Sequence, residues 1–182
     1  VALVNSRSPI KSLKELVEAS RKPGGLIFGT PGHGTHAHLI GVLFAQKTGA
    51  NLTPAPFKGG GPAMASLAGN QIPAAFSTLG PAAALIRAGR LRAIGLTSAQ
   101  RLVDFPDLPT FAESGFPELV AITWFGLSGP AGIPREISTR LNLEVRAALK
   151  EPDVRERLRP QGVEPNDLDV DGFTARVRSE TA

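Results

Sequence analysis

The sequence predicts an α/β fold, a parallel or mixed sheet with helices packed on its faces. Three segments predict it, each an apolar strand that breaks into glycines and then opens a helix. The first is Leu26-Ile-Phe-Gly-Thr-Pro-Gly-His-Gly-Thr-His36, the second Leu52–Pro62, and the third Ile72–Pro81. Successive βα units of this kind place their strand C-termini, and the helix N-termini that follow, along one edge of a parallel sheet. That edge collects unpaired N–H groups and the positive ends of helix dipoles, which together favour anions.

Taken in chain order, Val1–Val4 reads as a strand and Ser12-Leu-Lys-Glu15 as a capping box opening a helix to about Ser20. Leu26, Ile27 and Phe28 form a short buried strand. Gly29, Gly32 and Gly34 give the turn its backbone freedom. The helix from Thr35 onward has helical apolar spacing, with Leu39, Leu43 and Phe44 along one side. A second strand runs from Leu52 to the glycines at 59–61, and Pro62 suits the first position of the helix through Ala68. After Ile72–Phe76, Ser77 or Thr78 is expected to cap a helix through Leu85 and Ile86. Leu91–Thr97 is a buried strand. Arg101–Thr110 is a proline-marked loop, and Thr110 caps a short helix, Phe111–Ser114, that stops at Gly115.

Beyond this point the texture changes, with a composition shift near Leu119–Thr123. Val120–Ser128 is expected as a strand and Gly129–Pro134 as a turn. Glu136–Lys150 is an amphipathic helix with Ile137, Leu141, Val145 and Leu149 at helical spacing. Pro152–Leu158 is a shorter helix, Gly162–Pro165 a short strand, and Val170–Glu180 a last helix.

Composition limits the function classes. The chain has 182 residues, is 42% hydrophobic and 20% charged, and so is long and apolar enough to build a core. It contains no cysteine, which excludes disulfides, thiolate metal sites and cysteine nucleophiles. The net charge of +4 is scattered, without a basic patch interleaved with aromatics, so no nucleic acid partner is expected. No cofactor is expected either. No signal peptide or membrane-length apolar run is present. The chain opens directly on Val1-Ala-Leu-Val4 without an initiating methionine, the beginning expected of a piece of a longer protein.

The glycine turns do not match nucleotide motifs. Gly-Thr-Pro-Gly-His-Gly-Thr lacks both the Gly-Lys-Ser/Thr ending of a P-loop and the Gly-x-Gly-x-x-Gly spacing. The imidazoles are His33, His36 and His38. His36 and His38 are two apart, so on a helix they do not share a face and do not suggest a metal pair. His33, in the turn, is either a ligand contact or a solvent-exposed loop histidine.

Ser12-Leu-Lys-Glu-Leu16, Gly29-Thr-Pro-Gly-His-Gly-Thr35, Pro56-Phe-Lys-Gly-Gly60, Ala88-Gly-Arg-Leu-Arg-Ala93, the Pro106–Gly115 run after Arg101, and Trp124-Phe-Gly-Leu with Pro130-Ala-Gly together form a pattern. In this order they resemble the tripartite tricarboxylate transporter receptors, the Bug or TctC-type periplasmic solute-binding proteins. The resemblance covers essentially the whole chain. It implies a periplasmic-binding-protein-like fold in which two α/β domains hinge around a small carboxylate. Residues 1–7 would be a crossover strand, 8–119 the complete βα domain, and 120–182 the C-terminal return into the other domain, whose N-terminal part would be absent.

The same resemblance implies an extracytoplasmic receptor, periplasmic in its parent, that hands a small organic carboxylate to the membrane subunits of a transporter. A sensor subunit feeding a membrane histidine kinase would use the same pocket, and a phosphate- or nucleotide-using enzyme is the alternative from another class. The expected ligand residues are Thr30, Gly32, His33, Gly34, Thr35, Lys58, Gly59, Gly60, Ser77 and Thr78. Backbone N–H groups at 32–35 and 59–61 and the hydroxyls of Thr30, Thr35, Ser77 and Thr78 would hold the carboxylate. Two departures stand out. Phe57 replaces the family's usual Tyr, removing a hydroxyl, and Ser77-Thr78 replaces an acidic residue followed by Ser, which disfavours a ligand ammonium group. The apolar stripe of Glu136–Lys150 is expected to be covered by self-association, as a homodimer exchanging its C-terminal segment.

Overall fold

The computed structural model describes residues 1–181. The chain divides into two compact units, Val1–Thr123 and the segment from Trp124 onward.

The first unit is a five-stranded mixed sheet between two layers of helices. Its strands are β1 (Ala2–Asn5), β2 (Leu26–Thr30), β3 (Leu52–Pro56), β4 (Ala74–Phe76) and β5 (Leu91–Gly95). Its helices are α1 (Leu13–Ser20), α2 (His36–Thr48), α3 (Gly60–Ala68) and α4 (Gly80–Arg87). The strand order is β3-β2-β4-β1-β5. β2 runs parallel to β3, with Leu26 opposite Leu52 and Thr30 opposite Pro56, and parallel to β4, with Phe28 opposite Ala74. β1 is antiparallel to both β4 and β5, so β5 shares the direction of β2, β3 and β4. The strand expected to be a crossover is therefore a central member of this sheet.

Side-chain alternation along the strands builds a core on each face. Ala2, Val4, Phe28, Ala74, Phe76 and Ile94 point to the face covered by α1 and α2. Leu3, Ala75, Leu91 and Ala93 point to the face covered by α3 and α4. On the first face Phe28 and Phe76 meet edge to face at 5.2 Å between ring centres, and Phe44 of α2 lies 5.9 Å from Phe76. The edge strand β3 carries Pro54 and Pro56, which cannot donate to a further strand and so discourage pairing at that edge.

Several sequence expectations are corrected here. The buried side of α2 is Ala37, Ile40, Gly41 and Phe44, while Leu39 is 58% and Leu43 is 36% exposed. The ring of Phe28 occupies the space where a Gly41 side chain would lie, so the helix seats on its glycine and not on its leucines. Of Leu26, Ile27 and Phe28 only Phe28 is fully buried. Pro62 is the third residue of α3, not the first. Leu79 occupies the N-cap position of α4, and neither Ser77 nor Thr78 caps it. Phe111–Ser114 is a hydrogen-bonded turn, held by Thr110 and Glu113 capping each other's backbone N–H at 3.1 and 2.8 Å. Val120–Ser128 and Gly162–Pro165 are not strands. Ala121 donates one backbone bond to Thr97, and no partner strand lies alongside among the described residues.

Long-range polar contacts lock the first unit. The side chain of Asn5 donates to the carbonyls of Leu67 and Ala68 at 3.1 and 3.0 Å, satisfying the C-terminal end of α3. The Arg92 guanidinium donates to the carbonyls of Ser6, Ser8 and Ile10, which fixes the loop after β1.

The second unit is helical, with α5 (Arg135–Ala148), α6 (Pro152–Leu158) and α7 (Val170–Thr181). α5 packs on α7 through a two-pronged Arg135–Asp171 pair at 2.8 and 2.6 Å, and Asn142 donates to the Leu168 carbonyl. Trp124 stands edge-on to Phe173 at 5.4 Å, beneath the Arg176 guanidinium. Among the described residues no helix is long and apolar enough to cross a membrane.

Candidate functional site

The strand order contains a switch point. The connection from β2 through α2 to β3 moves to one side, whereas β3 through α3 to β4 passes back over β2 to the other. α2 covers one face and α3 the other. Loops leaving neighbouring strands for opposite faces open a crevice at the strand C-termini, which is where open α/β sheets hold ligands. The loops after β2, β3 and β4 all reach this edge.

The loop after β2 is folded by its threonines. Buried Thr30 donates its hydroxyl to the Gly32 carbonyl at 3.4 Å, and Thr35 donates to the same carbonyl at 2.8 Å. Thr35 also accepts the His38 backbone N–H at 3.3 Å, which makes it the N-cap of α2. Both hydroxyl protons are therefore used within the loop. Gly34 has φ +69°, a conformation other residues adopt only with strain, and a side chain there would meet open space. His33 is exposed, with its ring edge-on to His38 at 5.1 Å.

The loop after β3 is tied to this one. Phe57 donates its N–H to the Thr30 carbonyl and Gly59 donates to the Pro31 carbonyl, both at 2.9 Å. The Gly59 N–H thus holds the two loops together. Gly60 and Gly61, the first two residues of α3, have no acceptor within the helix and remain available as donors. Lys58 is exposed on the loop.

The loop after β4 contributes Ser77. Its N–H donates to the Val1 carbonyl at 3.1 Å, and the residue is only 3% exposed. Its hydroxyl oxygen lies 3.5 Å from where a Gly60 side chain would begin, so it faces the N-terminus of α3. Thr78 is half-buried beside it.

Three side-chain polar atoms among the described residues are covered from solvent and have no partner: Ser77 Oγ, His36 Nε2 and His38 Nδ1. All three belong to this edge. Buried polar groups are normally paired, and an orphan costs about 1–3 kcal/mol, so three together mark a place built for something else. Sequence reading named Ser77 but passed over the pairing of His36, whose Nδ1 sits 2.7 Å from Thr123 Oγ1 across 87 residues of chain. Burial holds the His36 imidazole below its ordinary pKa, and the positive charge of the Val1 amino group acts in the same direction. Apart from exposed Lys58, the expected ligand residues include no lysine or arginine, and the N-termini of α2 and α3 stand at this edge.

A mixed sheet of this order with helices on both faces belongs to the periplasmic-binding-protein folds. The tripartite tricarboxylate transporter family receptor model matches residues 1–181, and the chain belongs to that family. Protein BugT of Bordetella pertussis is 36% identical over 166 residues, which are 91% of this chain and 51% of BugT. Rpa4515 of R. palustris, solved with adipate, superposes with a TM-score of 0.92 at 31% identity, covering 99% of this chain and 60% of that one. MatC of Rhodopseudomonas palustris, solved with bound malate, gives a TM-score of 0.91 at 28% identity over 99% of this chain and 62% of that one. The chain spans about half the length of the curated relatives it matches. The family is one of receptors and not of enzymes, which removes the nucleotide-enzyme alternative.

Proposed function

We propose that this protein is the ligand-holding part of an extracytoplasmic receptor for small organic carboxylates, working with the membrane subunits of a tripartite tricarboxylate-type transporter. The observation that carries the reading is the set of three orphan polar atoms at the switch-point edge, beside the free N–H groups of Gly60 and Gly61. A carboxylate oxygen is the acceptor such donors lack, and charge-assisted hydrogen bonds are about twice as strong as neutral ones. The malate and adipate held by the two solved relatives support this ligand class over phosphate. Family membership supports a periplasmic setting and the transporter as partner. Gly32, Gly34, His33, Lys58 and Thr78 are proposed as the rim of the site, with Ser77, Gly60 and Gly61 as its anchor.

The test is an amide NMR titration of the protein with malate, adipate and inorganic phosphate at millimolar concentrations, which reads weak binding directly. Malate or adipate should move the Gly60, Gly61 and Ser77 signals in a saturable way, and Ser77→Ala should weaken binding by about tenfold or more. Saturable shifts with phosphate alone would replace the carboxylate reading by a phosphate one, and shifts confined to Lys58 would reduce it to surface charge.

A further inference from the structure

We infer that the edge of the first unit opposite the crevice is a docking face for a membrane surface of anionic phospholipid. The inference does not depend on which ligand the crevice holds. It begins with the topology. β2, β3, β4 and β5 run in one direction and β1 in the other. The loops that enter those four strands and the loop that leaves β1 therefore share the end of the sheet away from the crevice. Hydrogen bonds stitch them together. Ser6 donates its N–H to the Arg90 carbonyl at 3.1 Å, Asn51 donates to Ser20 Oγ at 3.2 Å, and Leu26 donates to the Asn51 carbonyl at 2.9 Å. Cations scattered in the sequence are gathered on this edge. Arg7 follows β1, Arg21 and Lys22 precede β2, Lys47 lies in the last turn of α2 before β3, and Arg90 precedes β5. All five are exposed, and none pairs with a carboxylate among the described residues.

The rest of the edge defines what fits it. The five loops, residues 6–9, 21–25, 49–51, 69–73 and 88–90, contain no acidic residue. The last turns of the adjoining helices add one carboxylate, Glu18 of α1, so positive charge prevails from one side of the sheet to the other. Five strands at the usual spacing span about 19 Å. A small anion reaches one or two of these cations, whereas an extended anionic surface meets all of them. The loops also expose no large apolar side chain. Protein partners are anchored by buried aromatic and other large side chains, which this edge lacks. Attraction to anionic headgroups needs charge alone, so a bilayer fits the edge better than a protein does. A unit resting on this edge points its strand C-termini away from the lipid, which leaves the crevice open while holding the protein at the membrane.

The test is co-sedimentation of the protein with vesicles of phosphatidylglycerol and phosphatidylcholine in equal parts, set against vesicles of phosphatidylcholine alone. The wild type should partition onto the anionic vesicles only. Raising sodium chloride from about 10 mM to about 150 mM shortens the screening length from about 30 Å to about 8 Å and should weaken partitioning by about tenfold or more. Each cation at an anionic surface contributes about fivefold, so the triple variant Lys22→Gln, Lys47→Gln and Arg90→Gln should lose about a hundredfold at low salt. Replacing the same three residues by Glu should reduce binding to the level seen on neutral vesicles. A second triple variant, Lys14→Gln, Arg140→Gln and Arg157→Gln, lowers the net charge equally from exposed positions elsewhere and should lose less than about tenfold. Equal partitioning of the wild type on anionic and neutral vesicles would overturn the proposal. Equal losses in the two Gln variants would overturn it as well, by assigning the attraction to total charge and not to this edge. Retention on immobilised polyglutamate without any vesicle binding would also overturn it and give the edge to an acidic protein segment. Each of these outcomes leaves the carboxylate-receptor reading untouched, since no substituted residue belongs to the crevice.

Discussion

The two units of this chain bury apolar surface very differently. In the first, Phe28, Phe44, Phe76 and Phe111 are at most 1% exposed, and the layers interlock around a sheet that satisfies its own backbone. In the second, α5 and α6 bury no residue, and Ile137, Leu141, Leu143 and Val145 are 41–54% exposed. What orders the second unit is instead ion pairing along its surface and one aromatic cluster around Trp124. Similar amphipathic spacing in sequence thus corresponds to a core in one unit and to an open face in the other. The difference lies in whether the chain also supplies the sheet on which the helices can lie.

The comparison is broken most severely in the first core. Phe76 touches three other phenylalanine rings, at 5.2, 5.9 and 6.5 Å, and stands at the end of β4 beside Ser77. Phe76→Ala should destabilise the first unit by about 3–5 kcal/mol, the range for deleting a fully buried aromatic ring. Segment-resolved hydrogen exchange checks it. Protection should fall across β1, β2, β4 and α2, while α5 and α7 keep their wild-type rates. A loss below about 1 kcal/mol would show that the ring cluster does not hold the sheet.

A smaller effect is expected at the loop that shapes the site. Thr35→Ala removes both the cap of α2 and the bond to Gly32, and should lower stability by about 1 kcal/mol in urea unfolding. Thr35→Ser keeps the hydroxyl and should behave like the wild type. Equal losses in the two variants would assign the effect to the methyl group and not to the cap.

Acid sharpens the contrast from the other side. Hydrogen bonds from Arg146, Arg135 and Trp124 hold Asp167, Asp171 and Glu180 below their ordinary pKa values. A depressed carboxylate stabilises the fold above its unfolded pKa, and that contribution is lost as pH falls through the folded value. The loss should begin as pH drops past the ordinary values of 4.5 and 3.8 and continue below them. Because the pairs are exposed, each contributes little and salt should weaken them further. Trp124 is the single tryptophan, so its fluorescence reports the second unit alone. Its unfolding midpoint should fall with acid more than hydrogen-exchange protection of β2 and β4 does. Parallel falls would mean that the two units do not differ in their reliance on ion pairs.

What the sequence revealed of this molecule was mostly local. Ser12 and Glu15 cap α1 as their spacing predicts, with Glu15 N–H on Ser12 at 3.2 Å and Lys11 N–H on Glu15 at 2.6 Å. The three strand–glycine–helix units, and with them the crevice, follow from residues adjacent in the chain. The pairs that complete the site are not adjacent. Nothing near His36 announces Thr123, and nothing near Asn5 announces the end of α3, because the sheet order brings them together. Glycine also misled where packing decided. Gly41 marks the buried side of α2 because a ring fills its place, so spacing alone put Leu39 and Leu43 on the wrong side. Val120–Ser128 has strand-forming residues but no neighbouring strand among the described residues, and β propensity without a partner ladder does not make a strand.

The smallest expected change in folding stability concerns the open face of α5. Ile137, Leu141 and Val145 recur at four-residue spacing, are 45%, 44% and 41% exposed, and so form one stripe along the helix. We propose that this stripe is covered by self-association of the chain, because soluble proteins seldom leave such a patch in water. Replacing Leu141 and Val145 by Glu places charges on a surface that is already exposed. Each change should therefore alter the unfolding free energy by no more than about 0.5 kcal/mol. The same changes should strongly affect assembly, since a charge at the centre of an apolar contact loses its water without gaining a partner. In light scattering across a dilution series, the mass of the wild type should rise with concentration, and the double variant should remain a monomer throughout. A wild type that stays monomeric at all concentrations would show that the stripe needs no second copy. A double variant that unfolds would show that α5 is packed more tightly than its exposure indicates, and would narrow the difference between the two units.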